Sequence, residues 1–356
     1  MPPKRVGRPL ADPGLRSILT DLRKRIISGR MPAGGPLPSV RELASTYGVT
    51  GTTIHRCLLQ LAAAGFITTH DRIGSHVAEF PPHRYNFGLV LPELPGIDGS
   101  YPSRHLQAKV DAASIINQDV GPRLEIFHGI SSHPELAEHQ RLLSALSQRR
   151  VAGLLIHDAE RIRDWLDPAR IGVPVIGVTV DPSRPMIGQL HLRLPMFLSR
   201  ALAEVAARGL RRPAVLINHL SHACVPELLT EASSMGLSLP LKHIHCLPTE
   251  APEWAAHVIA SLFSIPANEA PDAVILGDEG VIPAVQAALA EHGAAHLFQI
   301  QMTNVPCASP VPGTVLRLGW DMVAYLQRAM TLMDAWHRTS HPIGDNMLEL
   351  TAFSRT

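Results

Sequence analysis

Apolar residues Leu15, Ile18, Leu19, Leu22 and Ile26 recur at three- and four-residue spacing, with Arg16, Arg23, Lys24 and Arg25 on the other faces. That period predicts an amphipathic first helix, closed near Gly29. A Gly/Pro-rich connector, Pro32 to Pro38, follows. Ser39-Val-Arg-Glu42 reads as a capping box, in which the Ser39 hydroxyl serves a free N–H and Glu42 reaches back. Val40, Leu43 and Ala44 are expected to face the core. Gly48 suits the left-handed turn of Tyr47-Gly48-Val49. Thr50 is the expected cap of the next helix, where Ile54, Cys57, Leu58 and Leu61 form the buried stripe. Gly65 to Val77 predicts a two-stranded ribbon carrying His70 and Arg72 near its tip.

Beyond Pro81-Pro-His-Arg84 the pattern changes to buried-type apolar runs alternating with helical periods. Strands are expected over 85–91, 123–127, 151–156 and 173–179, with helices over about 103–118, 134–149 and 160–168. The pattern restarts after 181–185 with an irregular strand over 190–194 and a helix over 196–208. Strands then fall at 214–217, 243–246, 273–276 and 298–302, with helices over 225–236, 252–264, 280–292 and 320–337. A last strand is expected over 347–351. Alternation of this kind implies parallel sheets with helices on both faces. The fold class is α/β: an N-terminal winged helix-turn-helix followed by two lobes in series. The expected domains are 1–80, with a basic arm over 1–12, a linker over 81–84 and a two-lobed unit over 85–356.

Composition narrows the function classes. Of 356 residues, 46% are apolar and 18% charged, which is a globular composition. No apolar run reaches the roughly 20 residues that span a bilayer, and Met1 to Pro9 lacks the apolar core of a secretory signal. Cys57, Cys224, Cys246 and Cys307 form no CxxC pair, which suits a reducing cytoplasm. Charge is split unevenly: residues 1–84 hold 12 Lys and Arg against 5 Asp and Glu, and the remainder 20 against 26. A basic head on an acidic body is expected when only the head meets phosphate. In a helix-turn-helix, the exposed start of the second helix reaches base edges while neighbours hold phosphates. The candidate DNA-binding residues are therefore Ser39, Arg41, Thr50, Gly51, Thr52, Thr53, His55, Arg56 and Arg72. Lys4-Arg-Val-Gly-Arg-Pro9 has an AT-hook-like core but reads as a solvated tail.

The head resembles the N-terminal domain of GntR-family transcription regulators. The resemblance rests on Leu37-Pro38-Ser39, Arg41-Glu42-Leu43-Ala44, Gly48-Val49-Thr50, Thr53-Ile54, Leu61, Gly65-Phe66-Ile67 and Gly74. It departs at Gly51, where the family usually has Arg, and at Arg72, where it has a second Gly. The body resembles the effector domain of LacI/GalR-type repressors, a periplasmic-binding-protein fold. Here the matching pieces include Val151 to Ile156, Gly172 to Ile176, Leu202 to Gly209, Ala270 to Glu279 and Val311 to Val315. Together they give an arrangement similar to arabinose-responsive regulators.

In such folds the ligand sits outside the carboxyl ends of the strands. That places Glu93, His128, His157, Asp158, Asn218, His219, Asp278 and Asn304 as candidate effector contacts, with Thr179, His222, Glu279 and Thr303 nearby. The resemblance implies that Asp278 hydrogen-bonds a sugar and that Asn304 fills a family Asp or Asn position. It also puts Cys224 where the family has a ligand-gripping Arg, and Leu194 to Phe197 where Asp and Gly are usual. The cleft is thus expected to be altered: the effector is a sugar or sugar derivative other than a plain pentose or hexose, or small-molecule control has been lost. His219-x-x-His222-x-Cys224 and His243-x-His245-Cys246 have metal-type donors. They read instead as dispersed histidines, so no metal or cofactor is expected.

No GxSxG elbow, P-loop, GxGxxG after a strand or HExxH is present. The expectation is a cytoplasmic homodimeric regulator, a repressor rather than an enzyme, with double-stranded operator DNA and a small-molecule effector as partners and no membrane contact. The competing reading is a cytoplasmic solute-binding or sensory protein whose head contacts protein.

Overall fold

The structure is a computed structural model describing residues 13–70, 74–91, 104–130, 137–157, 171–177, 187–218, 223–248, 251, 253–306 and 315–353. The basic arm over 1–12, Arg72, Glu93, Asp158, Thr179, His219, His222 and the helix expected over 160–168 lie outside these residues. So does Cys307.

The head follows the hydrophobic pattern closely. Helix α1, Pro13–Ile27, buries Leu15, Ile18, Leu19, Leu22 and Ile26. They pack in one core with Leu37, Leu43, Ile54, Cys57, Leu58, Leu61, Phe66, Ile67 and Val77. Helix α2 is Val40–Tyr47. At its start Glu42 N–H donates to Ser39 Oγ at 3.2 Å, and Ser39 N–H donates to Glu42 Oε2 at 2.7 Å. Both halves of the capping box are therefore formed. Gly48 closes the helix at φ +65°, a conformation that a side chain would strain. Helix α3, Gly51–Ala63, is capped by Thr50 Oγ1, which accepts from Thr53 N–H at 3.3 Å. Strands β1, Ile67–His70, and β2, Gly74–Val77, pair antiparallel with Ile67 opposite Val77.

One expectation for the head fails. Val40 does not join the core but is exposed. At the first helical position it lies beyond the end of the apolar stripe, and Leu43 alone fills that place in α2.

The segment 81–84 is packed rather than extended. Pro82–Tyr85 makes one helical turn, and both prolines are buried. The His83 ring stacks on Phe66 with centroids 6.0 Å apart, and Arg84 Nη2 reaches Asp334 Oδ1 at 3.3 Å.

The body has two six-stranded sheets. In the first, β3 (Asn86–Val90), β4 (Arg123–Phe127), β5 (Gly153–Ile156), β6 (Val175–Gly177), β7 (Ile187–His191) and β13 (Gly344–Met347) run parallel in the order β13-β7-β6-β5-β3-β4. The second contains β8 (Pro213–Asn218), β9 (Ile244–Leu247), β10 (Ala273–Leu276), β11 (Phe298–Val305), β12 (Val315–Asp321) and β14 (Thr351–Phe353). Its order is β14-β12-β11-β10-β8-β9, with only β14 antiparallel. β8 and β10 are apolar and buried almost throughout, as strands covered on both faces should be.

The lobes are not simply in series. The expected last strand is two short ones: β13 returns to the first sheet and β14 to the second. The expected strand 190–194 is shifted to β7. His243 belongs to a tight turn, Leu241–His243, just before β9 rather than to the strand itself. β12 was not anticipated. It forms because Gly319 allows a close approach to β11: a Cβ there would sit 1.7 Å from Thr303 O.

Helix Met322–Thr339 joins the lobes. Asp321 Oδ1 caps it by accepting from Val323 N–H at 2.8 Å and Ala324 N–H at 3.2 Å. It packs on helix Arg104–Ile116, on β5 and β6 of the first sheet, and on β11 and β12 of the second. Among the described residues, no helix is long and apolar enough to cross a membrane.

Gly319→Ala is expected to destabilise the chain by about 3 kcal/mol or more, because the obstacle is backbone and cannot rotate away. Urea denaturation measures it; an unchanged midpoint would show that the two strands can separate at no cost.

Candidate functional site

On the head, Ser39, Arg41, Thr50, Gly51, Thr52, His55 and Arg56 are exposed, and Thr53 is half-buried. They cluster at the starts of α2 and α3, where unsatisfied backbone N–H groups add a positive field suited to phosphate. The caps fix this face rigidly, since Thr50 and Thr53 hydroxyls also lie 3.1 Å apart. Nothing in the fold demands glycine at position 51. A Cβ there would meet only Val40 Cγ1, at an ordinary 3.5 Å. Val40 was missed as a surface residue; its position one step after the cap was the available signal.

In the body, the candidates fall into separate groups. Asn218, at the end of β8, donates through Nδ2 to Asp278 Oδ2 at 3.0 Å, and Gly280 N–H donates to Asp278 Oδ1 at 2.7 Å. Leu194, where the chain passes from the first lobe to the second, lies close to Gly277, within 3.3 Å of where a Cβ would stand. Asn304, at the end of β11, is buried and donates to the Glu279 carboxylate twice: N–H to Oε1 at 2.8 Å, Nδ2 to Oε2 at 2.7 Å. Thr303 is buried beside it.

Across from these residues stands the first lobe. Helix Arg104–Ile116 packs directly on β11 and on the turn Glu279–Val281. His105 interacts with Asn304, and its ring is 5.3 Å from that of His157, at the end of β5. Lys109, fully buried, brings Nζ to 3.2 Å from His157 Nδ1 and 4.9 Å from the centre of the Tyr325 ring. The structure thus brings His157, Asn304, Asn218 and Asp278 to one interlobe region. His128 is not part of it: half-buried, it lies in the field of Glu138 and Arg141, which pair with each other at the edge of the first sheet.

Burial sets the charge states here. It pushes the Glu279 carboxyl up to about 7, against the opposing pull of the Asn304 hydrogen bonds and Arg104. It lowers the Lys109 ammonium to about 7 and drives the His105 ring well below its usual value. Sequence reasoning had not singled out Lys109, His105 or Tyr325. A signal for Lys109 existed: with Leu106, Ala113 and Ile116 it occupies the buried stripe of its helix at spacings of three, four and three.

Of the two histidine–cysteine clusters, the one at His243, His245 and Cys246 does not assemble, while His219 and His222 of the other lie outside the described residues. His243 Nδ1 lies 3.3 Å from Pro213 O, and His245 Nε2 lies 3.0 Å from Lys242 O, while Cys246 is exposed. No group of three or more metal-type side chains is found among the described residues.

Residues 16–77 match the model of the gntR family of bacterial regulatory proteins. The HTH-type transcriptional regulator Rv1152 of Mycobacterium tuberculosis is 32% identical over 93 residues, 26% of this chain and 74% of that protein. The chain belongs to the gntR family. Its head is therefore that of a DNA-binding transcription regulator. The body is similar to solved LacI-family proteins. A regulatory protein from Chloroflexus aggregans aligns with TM-score 0.56 at 12% identity, covering 76% of this chain and 98% of that one. A transcriptional regulator from Enterococcus faecium with bound ribose aligns at 0.54 and 14%, covering 76% and 97%. The Cra dual regulator of Pseudomonas putida in complex with fructose 1-phosphate aligns at 0.52 and 14%, covering 77% and 100%. At these identities the likeness shows the fold: a gntR-family head on a LacI-type two-lobed body.

Glu279 generates a pH prediction. The folded chain keeps its proton to about pH 7, whereas an unfolded glutamate releases it near 4.3. Ionising the buried group therefore costs stability that is lost as pH rises between those values. Glu279→Gln cannot ionise, and a turned Asn304 amide can offer it Oδ1. The melting temperature of the variant relative to the native chain is expected to rise from pH 5 to pH 8, by roughly 2–4 °C per kcal/mol. A pH-independent difference would place Glu279 in a solvated setting.

Proposed function

We propose that this gntR-family chain is a sequence-specific repressor whose operator affinity is set by a small-molecule effector held between its lobes. The observation that carries the proposal is the pairing of two surfaces in one chain. A rigidly capped, basic and exposed face stands at the start of α3, and buried polar side chains converge where the lobes meet. Residues 1–80 form the DNA-binding domain in this reading, 81–84 the connector and 85–356 the effector-binding and dimerisation unit. Arg41 and Arg56 take phosphates or guanine edges, while Ser39, Thr50, Thr52, Thr53 and His55 supply shorter polar contacts, with Arg72, outside the described residues, as a further candidate. Gly51 leaves the helix start bare beside Val40, an apolar surface of the kind that meets a thymine methyl group.

Two heads on a cytoplasmic homodimer would dock on a pseudo-palindromic site. The effector, a sugar or sugar derivative, contacts Asp278, Asn218, Asn304 and His157, with Glu93, Asp158 and His219, outside the described residues, as further candidate contacts. It acts only by binding one lobe arrangement better than the other. No chemistry beyond binding is needed to account for these side chains.

Gel shifts of the full chain on genomic fragments across a salt series test the head. A linear fall of log affinity with log salt is expected, and Arg41→Ala or Arg56→Ala should flatten the slope by about 0.9 for each phosphate lost. Salt-insensitive or absent DNA binding would leave the solute-binding reading, in which the head contacts protein. Gly51→Arg should fold normally and alter the preferred operator, with about 1–3 kcal/mol of discrimination at one base pair if it grips guanine. Selection from a randomised DNA pool reads this directly; an unchanged consensus would remove position 51 from the interface.

A further inference from the structure

Lys109 is the buried group that effector binding through Asp278, Asn218 and Asn304 leaves unexplained. Its side chain is fully buried on the apolar stripe of helix Arg104–Ile116, among Leu106, Ala112 and Ala113. A buried lysine is costly unless a carboxylate or several acceptors repay its desolvation. Among the described residues its contacts are one ring nitrogen, His157 Nδ1 at 3.2 Å, and the face of Tyr325. An ammonium has three donors, so this lining under-uses it. The opposite wall does not help. The Asp278 carboxylate is occupied by Asn218 and Gly280 N–H, and the Glu279 carboxylate by Asn304. Both acids belong to the second lobe's own hydrogen bonds, while nitrogen groups face them from the first lobe: the buried Lys109 and the half-buried His157 and His105.

A wall of buried and half-buried nitrogen groups, facing acceptors already taken, complements a ligand rich in acceptors and negatively charged. We infer that the interlobe cleft takes an effector bearing an oxyanion, a carboxylate or a phosphate, received by Lys109 together with His157 and His105. This rests on the effector reading above and sharpens its ligand class. Charge-assisted hydrogen bonds from an ammonium to an oxyanion are roughly twice as strong as neutral ones. The anion also supplies the counter-charge that the described lining withholds, so the ammonium form is favoured when the ligand arrives. The neutral hydroxyls of a plain sugar offer neither effect.

The test uses the full chain, Lys109→Met, Lys109→Gln and Asp278→Ala. The probes are D-glucose and D-ribose, the sugar acids D-gluconate and D-galacturonate, and the phosphates ribose 5-phosphate and fructose 1-phosphate. Thermal shift and calorimetry are the readouts. At least one anionic probe is expected to bind the native chain at least tenfold more tightly than its uncharged counterpart. Both Lys109 variants should weaken it at least tenfold while keeping salt-dependent DNA binding. The carboxylate and phosphate arms distinguish the two oxyanions. Without ligand, Lys109→Met should melt higher by about 2–4 °C, because a desolvated amine is replaced by an apolar chain of similar shape. A lower melting point in both variants would make Lys109 a structural ion-pair member and overturn the inference. A neutral sugar bound equally well by the Lys109 variants but not by Asp278→Ala would overturn the oxyanion while leaving the effector cleft intact. Failure of every probe to bind the native chain would overturn both.

Discussion

The packing of helix Met322–Thr339 against both lobes is the constraint on which the body depends. Met322, Tyr325, Leu326, Ala329, Met330 and Met333 are buried along it, and they share one continuous core with the inner faces of both sheets. Because its partners come from both sheets and from helix Arg104–Ile116, the lobes cannot be treated as independent units joined by tethers. The Asp321 cap and the tight β11–β12 pairing at Gly319 fix where the helix starts. The chain then spends its last short strands on both sheets, tying the lobes a second time.

Against that apolar frame, the polar groups at the lobe junction divide by how well they are satisfied. Glu279 and Asn304 form a two-point hydrogen-bonded unit in which burial keeps the carboxyl half-protonated near neutral pH. Asp278 is locked by Asn218 and a backbone N–H. Such two-point units narrow the local geometry, as buried hydrogen-bonded networks do. Lys109 stands apart as a group whose environment disfavours its charge. Local rules broken in this way, inside an otherwise consistent core, are characteristic of binding sites.

How much of this was legible follows from periodicity. The head was readable nearly to the residue because Ser39, Glu42, Gly48 and Thr50 each specify a local hydrogen bond or backbone angle. The strands of the central sheets were legible as apolar runs, since Ala273 to Leu276 has no other reasonable place. β12, β13 and β14 were not, for a different reason. Gly344–Met347 and Thr351–Phe353 are largely exposed edge strands whose pairing is non-local, so their residues carry no alternation to read. The candidate site was half visible. Strand ends pointed to Asn218, Asp278, Asn304 and His157, but Lys109 and His105 come from a helix of the facing lobe, which strand-end logic does not reach.

The bridging helix also joins the proposed effector region to the connector below the head. Tyr325, under the Lys109 ammonium, and Asp334, paired with Arg84, lie nine residues apart on it, about 13.5 Å along the axis. Arg84 follows His83, whose ring stacks on Phe66 at the base of the head's winged ribbon. The helix is closely packed along one face and exposed along the other, at Gln327, Arg328, Thr331 and Ala335, and close packing on that face resists local bending. The same helix therefore carries the Tyr325 contact at one end and, at the other, the Arg84–Asp334 pair next to the stacked rings of His83 and Phe66. Distance alone would not make this a coupling route. Each end is a discrete contact between different parts of the chain: first-lobe helix on bridging helix at one end, connector on bridging helix at the other. A change of charge at Lys109 alters its attraction to the Tyr325 ring, and the same helix sets where the connector, and with it the head, is held.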